Sequence, residues 1–171
     1  GTNYSGVMLH GAAATGNVIA GNRIGLNAAN EPVSGNFSHA IRVYSGAANN
    51  RIGTDGSDDA FNASERNLLL GGIRLSNGDD NTIAGNYFST ADGLARISST
   101  PFTMAMISVE AGSAGNIIGT NDDGQKDELE GNVIAMSNGR SLIEIGDAGS
   151  DGNVVAGNLL NINTQGDAFS L

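Results

Sequence analysis

Nine of the 18 acidic residues fall in two short segments: Asp55, Asp58, Asp59 and Glu65 in 53–65, and Asp122, Asp123, Asp127, Glu128 and Glu130 in 119–130. Calcium takes roughly six to eight oxygens from carboxylates, amides and backbone carbonyls, so an acidic loop with glycine at its turn suits it. By spacing, Asp55, Asp58, Asp59 and Glu65 form one ligand set, and Asn121, Asp123, Asp127 and Glu130 a second. Neither follows the EF-hand order of ligands. The same residues serve equally well in solvated turns, where Asp and Asn bond to the backbone. Spacing leaves both readings open.

A second constellation comes from alternating segments: Val7-Met8-Leu9-His10, Ile41-Arg42-Val43-Tyr44, Ile73-Arg74-Leu75-Ser76, Ile107-Ser108-Val109-Glu110 and Ile143-Glu144-Ile145-Gly146. If these are strands in register, alternation exposes Met8, Arg42, Arg74, Ser108 and Glu144 in one row. His10, Tyr44, Ser76 and Glu110 fill the next. Arg42 and Arg74 then become like-charge neighbours, an arrangement that calls for a bridging carboxylate or anion. A uronate of an acidic polysaccharide would fit among Arg42, Arg74, Tyr44, Glu110 and Glu144. An exposed polar sheet is the plainer alternative.

No catalytic residues are assigned. Inverting glycoside hydrolysis needs carboxylates paired across the bond, whereas Glu110 and Glu144 fall on successive strands in different rows. His10 and His39 lack an acidic neighbour in the pattern, Lys126 sits in an acidic loop, and the serines lack a base.

The elements that must carry these residues follow from self-similarity. The alternating segments begin 34, 32, 34 and 36 residues apart. After each comes a turn and an Asn-led strand, starting at Asn17, Asn50, Asn81, Asn116 and Asn153. A third, also Asn-led, set starts at Asn22, Asn67, Asn86, Asn132 and Asn158. The pattern predicts an all-β, parallel β-helix (solenoid) of about five coils with three short strands per coil, one domain over 1–171. A β-sandwich or barrel would not repeat its corner residues at coil length.

The two asparagines lie 5 residues apart in coils one, three and five, but 17 and 16 apart in coils two and four. Even coils therefore carry an insertion between second and third strands. Odd coils carry their long loop after the third, over 26–40 and 89–105, so insertions project from two corners. Asparagine is expected at each corner because it tolerates left-handed backbone and its amide can bond between coils.

Composition agrees. With 26 Gly, no Cys, no Trp and few aromatics, the interior must be aliphatic and the turns frequent. A net charge of −10 with Lys126 as the single lysine disfavours nucleic acid and anionic membrane surfaces as partners. No apolar run approaches the roughly 20 residues of a membrane-spanning helix, so no membrane insertion is expected. Gly1-Thr2-Asn3 echoes Gly53-Thr54-Asp55, and the chain closes on strand-like residues. The expectation is a segment of a longer solenoid, partnered by flanking coils or by itself end to end.

The strings Asn17-Val-Ile-Ala-Gly-Asn-Arg-Ile-Gly, Asn116-Ile-Ile-Gly-Thr-Asn-Asp-Asp-Gly and Leu129-Glu-Gly-Asn-Val-Ile-Ala resemble the right-handed parallel β-helix repeat family of large bacterial surface and secreted proteins. The resemblance implies a right-handed coil and an extracellular or cell-surface location more than any reaction; the interrupted repeats at both ends and the lack of a catalytic constellation lead to the expectation of a structural or adhesive module. The wider superfamily includes polysaccharide lyases, hydrolases and epimerases.

Overall fold

The computed structural model describes residues 4–33, 37–97, 104–135 and 141–169, and within these the chain is a right-handed parallel β-helix. Strands numbered along the chain fall into three five-stranded sheets, each taking one strand from every coil. The first contains β1 (Tyr4–His10), β4 (Phe37–Tyr44), β7 (Ile73–Ser76), β10 (Ile107–Glu110) and β13 (Ile143–Ile145). The second contains β2 (Val18–Ile19), β5 (Arg51–Gly53), β8 (Thr82–Ala84), β11 (Ile117–Gly119) and β14 (Val154–Ala156). The third contains β3 (Arg23–Ile24), β6 (Leu68–Leu69), β9 (Tyr87–Phe88), β12 (Val133–Ile134) and β15 (Leu159–Leu160). Every pairing between these strands is parallel, which hairpin folds cannot produce.

Alternation turns one aliphatic set inward. Ile41, Ile73 and Ile107 align on the first sheet, Ile52, Ile83 and Ile118 on the second, and Leu69, Phe88 and Ile134 on the third, all essentially without solvent contact. Each such side chain contributes about 1.5–3 kcal/mol by burial. The interior is thin, and identical positions stack coil after coil.

Two asparagine ladders close the corners. Asn50 Oδ1 accepts from Asn17 N and Nδ2 at 3.0 and 2.9 Å, and the same bidentate contact runs from Asn50 to Asn81, Asn81 to Asn116 and Asn116 to Asn153. The second ladder joins Asn22, Asn67, Asn86, Asn132 and Asn158. Both run one way: the amide of one coil donates to the carbonyl oxygen of the next.

The expected left-handed corner asparagine is corrected here. In the first ladder the positive φ belongs to the residue before each step, such as Gly16 (68°), Asn49 (55°), Asp80 (53°) and Gly115 (68°), not to the ladder asparagine. The preceding residue makes the bend, and the asparagine directs its N–H and Nδ2 together to one acceptor.

The insertions leave two corners, as the spacing predicts. Each even-coil insertion ends in one helical turn, α1 (Asn62–Glu65) and α2 (Asp127–Glu130), which the sequence pattern does not signal. In odd coils the loops after β3, β9 and β15 close through antiparallel bridges Leu26–Pro32, Thr90–Arg96 and Ile162–Ala168. The loops expected over 26–40 and 89–105 lie partly outside the described residues. Insertions meet across the intervening coil, with Thr164 N donating to Gly93 O at 2.9 Å.

Candidate functional site

The acidic loops of the even coils are built alike. In each, the threonine after β5 or β11 bonds to the first residue of the helical turn, Thr54 to Asn62 and Thr120 Oγ1 to Asp127 Oδ1 (3.0 Å). The glutamate ending the turn reaches back to the loop's start: Asp55 N donates to Glu65 Oε2 at 3.1 Å, and Asn121 N to Glu130 Oε2 at 2.9 Å. Glu65 also holds the Arg51 guanidinium at 2.8 Å, and Glu130 is buried.

The remaining ligand candidates serve the loops' own turns. Asp55 Oδ1 accepts from Ser57 N, which holds its carboxyl below the usual range. Asp59 accepts from Phe61 N, Asn121 from Asp123 N, and Asp123 from Gln125 N. Asp58 lies 3.1 Å from Lys126 Nζ and thereby ties the two loops together across coil three. Among the described residues no three carboxylate or imidazole side chains converge on a common point. The calcium spacing seen in sequence is thus distributed around two turns, with each candidate engaged by a backbone donor, a hydroxyl or a cation.

The first sheet forms the two predicted outward rows: Met8, Arg42, Arg74, Ser108 and Glu144 align by register, as do His10, Tyr44, Ser76 and Glu110. The protein relieves the adjacent arginines itself. Glu110, one coil on and one row across, takes Arg74 by two nitrogens, Nε at 2.6 Å. Arg42 sits 5.0 Å over the Tyr44 ring, which stacks on His10 at 4.3 Å, and the Tyr44 hydroxyl donates to Met8 Sδ at 3.1 Å. Arg42 Nε is buried without a hydrogen-bond partner among the described residues.

The five candidates on this face divide in two. Arg74, Glu110 and Glu144 line a cleft of about 390 Å³ with His39 and Ser108, whereas Arg42 and Tyr44 belong to the stack beside it. His39 is buried, and desolvation, then Arg74 and Arg42, bring its pKa from 6.5 to about 4. It is a neutral imidazole at neutral pH.

Sequence reasoning missed the outward face of the third sheet. Its row reads Arg23, Leu68, Tyr87, Val133 and Leu159 by register, between the even-coil turns and the odd-coil loops. Two clefts, of about 370 and 280 Å³, lie along it and share Arg66 and Tyr87 as a common wall. Arg66 is fixed there, Nε donating to Gly85 O at 2.8 Å and its guanidinium 4.1 Å over the Tyr87 ring. The one available signal was Arg66 where the repeat-equivalent position before Asn132 is Gly131.

No family model, curated protein or solved structure matches the chain.

Proposed function

We propose that the chain is a structural module of a bacterial secreted or cell-surface protein, a rigid rod segment that joins further coils or copies of itself end to end and so spaces or presents adhesive surfaces. The observation that carries this reading is the uniform asparagine ladder, which repeats one directional contact at all four junctions of the first set. Such a junction propagates, because each coil offers the next the same acceptor and the same aliphatic layer. Ile145, Val155 and Leu160, which continue the interior layers in coil five, are 42, 43 and 40% exposed. Light scattering across a wide concentration range tests end-to-end association. A strict monomer in which added flanking coils fail to raise stability argues against the rod.

A second reading, binding of an acidic polysaccharide on the first sheet, is favoured by the buried, unpartnered Nε of Arg42 beside an aromatic stack. Incubation with uronate polymers tests it: saturable binding abolished by Arg42→Gln supports the reading, and no binding across a broad panel removes it.

A further inference from the structure

We propose that the cleft between coils one and three on the third sheet is an oxyanion site in which Arg23 and Arg66 hold a carboxylate or sulfate group. It lies on a different face from the first-sheet arginines and does not depend on the rod reading.

The cleft is bounded by Arg23 from coil one, Ala63 and Ser64 of α1, Arg66, and Ala91 and Asp92 of the coil-three loop. Among the described residues neither Arg23 nor Arg66 has a carboxylate within ion-pair distance, although the chain carries a net charge of −10. The acid lining this cleft and the one preceding Arg66 both bond elsewhere. Asp92 Oδ1 accepts from Leu94 N at 2.9 Å and Ala95 N at 3.0 Å, bonds that keep its carboxyl below the usual range. Glu65 is held by Arg51 and Asp55 N. Two arginines thus border one cleft whose single lining acid, Asp92, is bonded to its own loop's backbone, a positive excess that an anion balances.

Arg66 is also pre-organised. One donor is spent on Gly85 O and its face on Tyr87, leaving the terminal NH₂ groups without a hydrogen-bond partner among the described residues. A bound oxyanion would find this side chain already ordered, so little rotamer entropy remains to be lost on binding. The fold does not require an arginine here, because the equivalent position in coil four is Gly131. Nor does it require Arg23, whose equivalents along the odd coils are Tyr87 and Leu159.

The test titrates the full chain with inorganic sulfate and, separately, with D-glucuronate at constant ionic strength, following the arginine Nε–H resonances by NMR. Saturable shifts of Arg23 and Arg66 are expected, with affinity weakened about tenfold or more in Arg23→Gln and in Arg66→Gly. Arg66→Gly copies the coil-four residue, and Arg23→Gln changes an exposed side chain, so at least one variant retains the fold. Tighter binding of glucuronate identifies a carboxylate carried on a sugar as the preferred ligand, and tighter sulfate the free ion. No saturation with either probe, or equal affinity in wild type and the folded variants, overturns the site.

Discussion

Asn116 Oδ1 accepts both the backbone N–H and the Nδ2 of Asn81, at 2.9 and 3.1 Å, and all of these groups are buried. Asn81 in turn accepts the same pair from Asn50. Replacing Asn81 by Ala removes the acceptor for two buried donors and leaves its own N–H facing Asn116, a loss of about 3–5 kcal/mol. Asn17→Ala, at the exposed end of the ladder, should lose about 1 kcal/mol or less. Urea unfolding of the two variants measures the gradient.

Gly53 and Gly119 have φ of 102° and 101°, and a Cβ at either would run into the carbonyl oxygen of Ala84 or Ala156 on the adjacent coil. Gly53→Ala should lose about 3 kcal/mol or more, combining strain with overlap against backbone that cannot move aside. Gly124, with φ of 81° and open space around it, isolates the strain alone. Gly124→Ala should lose about 1 kcal/mol.

His39 is expected to make stability fall with acid. Its pKa is lowered from 6.5 to about 4, so above 6.5 both folded and unfolded forms are neutral, while between 6.5 and 4 the unfolded chain binds the extra proton. Stability is therefore lost as pH falls through that window, by up to about 3 kcal/mol. Unfolding free energies at pH 7 and pH 5 should converge in His39→Gln. Asp55 and Asp92, whose pKa values are lowered, stabilise the fold above the ordinary carboxylate range, a contribution lost only at more acidic pH, where their carboxylates protonate.

Glu110 shields Arg74 from Arg42, both side chains of the pair being about a third exposed or less. Glu110→Gln should lose about 1 kcal/mol at low ionic strength, because two arginines then face each other across one strand spacing. The loss should shrink in 1 M salt, which thermal melts at two ionic strengths would show.

The even-coil loops are expected to hold without metal, because Glu65, Glu130, Asp123 and Asp127 already bond within them. The melting temperature should not differ between millimolar calcium and chelator. A rise that grows with calcium and disappears in Glu130→Gln would instead assign the loop to calcium.

The solenoid was legible in sequence because one physical event recurs at coil length. A strand that buries alternate residues, followed by an asparagine that bonds to its equivalent in the next coil, imposes identical residues at fixed intervals. Ile41, Ile73 and Ile107, and Asn50, Asn81 and Asn116, carry that signal directly. The outward rows followed from the same alternation. Neighbour relations that cross rows did not: Glu110 on Arg74 and Tyr44 under Arg42 depend on side-chain reach between strands.

Sequence by itself determined the period, the inward face, the corners that carry insertions and the crowding of acids in the even coils. Only the tertiary structure decided how those acids are spent, and that the residue before each first-ladder asparagine makes the bend. It also decided that Arg23, Arg66 and Asp92, from three different coils, border one cleft. The reason is physical: the repeat constrains backbone and core, where every coil solves one packing problem. Long polar side chains between insertions answer to distances that no period encodes.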